Sequence, residues 1–130
     1  MKFFSSTIIV LLFILTIDSF SQSNPGFNCN FLKECKLKYL DNSDSTAYIV
    51  IKDRTHIEYL QNGKYFIKSK LDWINACEYN ATMIDITLPG FPFKPGDVMN
   101  VKIDRIEGDI IYCVLTALGQ HVTGKYRVLK

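Results

Sequence analysis

The sequence predicts an all-β fold, an antiparallel meander of about eight strands that closes into a small barrel or folds into a sandwich. Apolar and polar residues alternate with a period of two almost throughout residues 35–129, the spacing that sends successive side chains to opposite faces of a strand. Short turn-forming clusters, among them Asn62-Gly63, Glu107-Gly108-Asp109 and Leu118-Gly119-Gln120, punctuate the alternation. No segment of that region carries an apolar stripe at helical spacing.

Met1-Lys2 is followed by an uncharged apolar run from Phe3 to Ile17 and then by Asp18-Ser19-Phe20-Ser21-Gln22. A basic start, an apolar middle and a small-residue end are the parts of a secretory signal, so residues 1–21 are expected to be a signal peptide cut between Ser21 and Gln22. The apolar run is shorter than the roughly 20 residues that a membrane-spanning helix needs, and no stable membrane span is expected after cleavage. Cys29 follows Gly26-Phe27-Asn28, which is no lipid-attachment motif. Residues 22–130 then form a single all-β domain, exported to the periplasm or the extracellular space.

Along that domain, Cys35, Leu37 and Tyr39 alternate with lysines until Asp41-Asn42-Ser43-Asp44 breaks the run. Those four polar residues resemble half a calcium loop but lack its remaining ligands, so a turn cap is expected. Tyr48 to Ile51 and His56 to Leu60 are strand-like, and Asn62-Gly63 between alternating segments predicts a hairpin through a type I′ turn. Tyr65, Ile67, Leu71 and Trp73 share one parity and hence one face. From Glu78 to Leu88 the apolar parity switches from Tyr79, Ala81 and Met83 to Ile84, Ile86 and Leu88, which predicts either a β-bulge or an end buried on both faces. Three prolines exclude regular structure from Pro89 to Asp97. Val98–Ile106, Ile110–Ala117 and Val122–Leu129 complete the meander.

The formal charge is +2 and removal of the signal, with one Lys and one Asp, leaves it unchanged. Lys64, Lys68 and Lys70 are interleaved with apolar or small polar residues rather than gathered into a basic patch, so no nucleic-acid partner is expected. Cys29, Cys35, Cys77 and Cys113 all lie in the exported part. An even count in a short exported chain predicts two disulfides, with three pairings open. There is no C-x-x-C, and His56 and His121 lie far from any cysteine, so neither a metal site nor another cofactor is expected. No nucleophile–base pair accompanies either histidine, and the protein is expected not to be an enzyme. Arg54 and Glu58 share a parity and are candidates for a surface ion pair. Asn80-Ala81-Thr82 matches a glycosylation acceptor but sits within a strand.

Cys29, Arg54, Glu58, Lys68, Ser69, Lys70, Trp73, Cys77, Glu78 and Tyr79 together resemble the pattern of a group of small exported bacterial proteins. The most specific part is Lys70-Leu71-Asp72-Trp73-Ile74-Asn75-Ala76-Cys77-Glu78-Tyr79, with its Trp-x-x-x-Cys-Glu-Tyr motif. The resemblance covers residues 29–79 and implies a β-barrel-like or lipocalin-like domain and a bridge from Cys29 to Cys77, leaving Cys35 and Cys113 for a second. It implies no activity.

Two functional classes follow. In the first, the protein is a binding module whose barrel holds a small apolar ligand. Tyr65, Ile67, Leu71, Trp73 and Tyr79 would then lie inside, with Phe91 and Phe93 near the mouth. In the second, a filled core supports the loop 88–97, which docks on an envelope or extracellular protein through Phe91 and Phe93. Of these, Trp73, Tyr79, Phe91 and Phe93 are the candidate contact residues, and the volume left inside the barrel discriminates the two classes.

Overall fold

Eight antiparallel strands pair in sequence order, and the first closes on the last to form a barrel without a free edge. The computed structural model describes residues 26–130, and the expected signal peptide, residues 1–21, lies outside the described residues. The strands are β1 (Glu34–Tyr39), β2 (Tyr48–Lys52), β3 (Thr55–Leu60), β4 (Tyr65–Asn75), β5 (Glu78–Ile86), β6 (Val98–Glu107), β7 (Ile110–Ala117) and β8 (Gln120–Leu129). One 3-10 turn, Asn30–Lys33, precedes them. No helix among the described residues is long and apolar enough to cross a membrane.

The two ends of the barrel differ because their connections differ. At one end β2–β3, β4–β5 and β6–β7 are joined by tight turns, and the 3-10 turn lies over the opening. Lys33 O accepts a hydrogen bond from Asp53 N at 3.1 Å, while the Cys29–Cys77 disulfide ties the same segment to the β4–β5 turn. Leu32, 1% exposed, seals this end. At the other end the longer loops 40–47 and 87–97 surround a mouth.

The local rules account for most of the wall. Lys64 N donates to Gln61 O, and Asn62 and Gly63 have the expected positive φ at 58° and 79°, but Gln61 is left-handed as well at 51°, so the hairpin closes through four residues, 61–64, between Leu60 and Tyr65. Asp44 is the expected cap: its carboxylate accepts Thr46 N at 2.9 Å and Gln61 N at 2.7 Å, which clamps the β1–β2 loop to that hairpin. The parity switch in β5 is a bulge. Lys68 pairs with Asp85 and Ser69 with Met83, so Ile84 is the extra residue and is left 49% exposed. Ile67, Ser69 and Leu71 all face inward, in keeping with their common parity.

The core is divided into two clusters. Leu32, Ile51, Leu71, Ile103 and Ile111 belong to the one at the sealed end. Ala47, Leu60, Ile67 and Met83 form a smaller one near the mouth. Gly124 on β8 lies under the ring of Tyr126: a Cβ there would come within 2.7 Å of the ring. Glycine is thus what allows Tyr126 to fold down along its own strand into the barrel.

The expected second disulfide is absent. Cys35 and Cys113 are free thiols. Cys35 is aligned with Ile51 on β2, and Cys113 with Ile103 on β6 and Gly124 on β8. β8 stands between their strands, whereas a bridge requires Cα atoms roughly 4.4–6.8 Å apart. Cys35 Sγ instead donates to Leu32 O at 3.5 Å.

Candidate functional site

In β3 the more polar residues are inside. Ile57 and Tyr59 are the apolar parity of Thr55–Leu60, yet His56, Glu58 and Leu60 face the interior. The register leaves no alternative, because the hairpin pairs Leu60 with Tyr65, and hence Glu58 with Ile67 and His56 with Ser69. On the other side Glu58 meets Ile49 and His56 meets Ile51. A one-residue slip would correct the polarity of β3 but turn its neighbours inside out. Outside, Tyr59 stacks on Tyr48 with ring centroids 5.0 Å apart, and Lys36 Nζ lies 4.4 Å from the centre of the Tyr48 ring.

The inward groups border a cavity of about 330 Å³ between the two core clusters. Its waist is polar, formed by Tyr39, His56, Glu58, Ser69, Tyr79 and Tyr126. The rings of Tyr39 and Tyr126 are 5.0 Å apart, and His56 and Tyr79 are 6.2 Å apart. Toward the mouth the walls become apolar, with Leu60, Met83, Leu88 and Met99 beneath Phe91 and Phe93.

Loss of water governs the chemistry of the waist. Desolvation raises the Glu58 carboxyl above its ordinary range, partly offset by the Tyr39 hydroxyl. His56 is 8% exposed, and burial lowers its pKa to about 4, so its imidazole is neutral at physiological pH. Its Nδ1 is buried without a hydrogen-bond partner among the described residues, although such groups are ordinarily satisfied. Burial also raises Tyr39, Tyr79 and Tyr126 and moves the Cys35 and Cys113 thiols to about 11 and about 12. Both thiols are therefore poor nucleophiles.

Tyr79, Phe91 and Phe93 border the cavity, as the binding-module expectation requires. Ile67 does as well. Trp73 does not: it packs on the cluster at the sealed end, its ring edge-on to that of Tyr79 at 4.9 Å. Tyr65 packs against the upper cluster and Leu71 is sealed within the lower one. Arg54 and Glu58 form no ion pair, because Arg54 is exposed in the β2–β3 turn while Glu58 points inward. His121 is exposed on β8, with its Nδ1 2.8 Å from Thr116 Oγ1, so the two histidines do not meet. Among the described residues no group of His, Cys, Asp and Glu is placed to hold a metal ion.

Sequence reasoning missed Tyr39, His56, Glu58 and Tyr126 as site residues. Gly124 was a usable signal for Tyr126, since an interior strand glycine marks a close approach. His56 and Glu58 required the register of β3 against both neighbours. No protein-family model, curated protein or solved structure matches this chain.

Proposed function

We propose that the protein is an exported, lipocalin-like carrier that holds one small molecule with an apolar body inside its barrel. The observation that supports this is the cavity of about 330 Å³ with a polar waist and apolar upper walls. A filled barrel would have served stability better, because interiors otherwise pack to the density of organic crystals. Buried polar groups without internal partners are costly in an idle core but suit a site that orients a ligand. The volume lies at the lower end of the range for ligand sites, roughly 300–1,000 Å³, so the cargo is small. Phe91 and Phe93 stand 5.3 Å apart against the upper cluster, positioned as a lid.

The alternative, docking of the loop 88–97 on another protein, has less support because both phenyl rings are engaged inward. An enzymatic role draws no support from the waist, where no nucleophile is paired with a base. The test is native mass spectrometry of the protein purified from its own exporting host. A bound small molecule that departs on denaturation is the expected result. A bare mass, with full binding of envelope proteins that is lost in Phe91→Ala/Phe93→Ala, would transfer the function to the loop.

A further inference from the structure

No side chain bordering the lumen carries a positive charge at neutral pH. No Lys or Arg borders the cavity among the described residues, while Glu58 places a carboxyl at the waist. Tyr39, Tyr79 and Tyr126 reach the same level from β1, β5 and β8, and a tyrosine face attracts a cation. His56, nine-tenths buried, brings an imidazole whose Nδ1 has no protein partner. The site thus combines acceptors and π-faces with a single acidic side chain.

We infer that the cargo is a small organic cation, an amine whose ammonium group sits at the waist against Glu58 and the three tyrosine rings while its apolar body fills the upper lumen. This rests on the carrier role proposed above and specifies its ligand class. An anionic head group would face the Glu58 carboxyl with no cation to meet it. A neutral molecule would leave the π-faces unused. The polarity of β3 supports the same ligand, since an ammonium compensates the buried carboxylate that the register imposes.

Proton linkage follows from the surroundings of Glu58. The titratable groups facing it are Tyr39 on β1, His56 on β3, Tyr79 on β5, Cys113 on β7 and Tyr126 on β8, while β2 and β4 present Ile49, Ile67 and Ser69. Asp41 and Lys125 border a second hollow that shares Tyr39 and Tyr126. Burial favours the protonated carboxyl in the free protein, and a bound ammonium favours the carboxylate. Binding under mildly acid conditions therefore releases a proton, and amine affinity declines as pH falls through the Glu58 range.

Calorimetric titration with three probes of similar shape tests this: phenethylamine, 2-phenylethanol and 3-phenylpropionate. At neutral pH the amine is expected to bind at least about tenfold tighter than the alcohol, with the acid weakest. Glu58→Gln should lower amine affinity by about tenfold or more and change the uncharged alcohol by much less, so that the gap between the two closes. In buffers of different ionisation heat, only the amine should show proton release at mildly acid pH. Equal affinities for amine and alcohol, or tightest binding of the acid, would overturn the cation assignment and leave the carrier role standing. Binding of none of the three by the folded wild-type protein would overturn both. The wild-type ranking does not depend on the stability of any variant.

Discussion

Gly124 and His56 show how single residues set the interior. Gly124→Ala would drive a methyl into the Tyr126 ring, which would have to leave its place against β8 and shift into the lumen it borders. A loss of about 1–3 kcal/mol is expected, as for other overpacked sites, read from the urea midpoint. His56 leaves a signature in pH. Its folded-state pKa of about 4 lies below its ordinary value of 6.5, so between these values the unfolded chain binds the proton more readily and stability falls as pH falls. The full difference is roughly 3 kcal/mol. Glu58 acts in the opposite sense, its raised pKa favouring the folded state at low pH. The comparison of wild type with His56→Gln isolates the histidine: the variant is expected to lack the decline between pH 6.5 and pH 4, whereas parallel profiles would contradict the burial of His56. Neither residue's role was legible from composition, since a histidine and a glutamate in a strand of Ile, Tyr and Leu read as its solvated face.

At the scale of elements, the signals that proved legible were those written in adjacent residues. Asn62-Gly63 marks its hairpin because positive φ at two successive positions is a local requirement. The bulge at Ile84 shows as a parity switch, and the prolines of 89–97 exclude a ladder. What was not legible depends on distant strands: the face of β3 is set by β2 and β4 together, and the state of Cys35 and Cys113 by the strand between them. The disulfide illustrates the reach of one element over another. It joins residues 48 apart and holds the 3-10 turn over the sealed end, so Cys29→Ser is expected to cost about 2–4 kcal/mol. Alkylation of the denatured, unreduced protein should label Cys35 and Cys113 alone. Labelling of all four cysteines, or of none, would contradict the pairing. The lid loop carries a different expectation. Phe91→Ala/Phe93→Ala should leave the wall intact and speed both entry and release of a lumen ligand, which stopped-flow measurements would resolve.

For the whole molecule, closure of the meander was legible and the hollow interior was not. Eight alternating strands with short connections must hide their edges, and pairing of β1 with β8 does so. Whether the space inside is filled depends on the size and direction of every inward side chain together, and small residues such as Ala81 and Ser69 lower the filling without any local mark. The resulting molecule has one sealed end, an opposite end where Phe91 and Phe93 pack on the upper cluster, and a polar waist between two apolar clusters. The proposed carrier role requires that a ligand occupy the lumen. Ala81, 6% exposed, borders the cavity, and Ala81→Phe places a ring in that space at a stability cost of about 1–3 kcal/mol. Calorimetric titration of wild type and Ala81→Phe with 2-phenylethanol is the most direct test. Binding by the wild type that is lost in the folded variant is the predicted result, and equal binding by the two proteins would place the ligand outside the barrel and contradict the account.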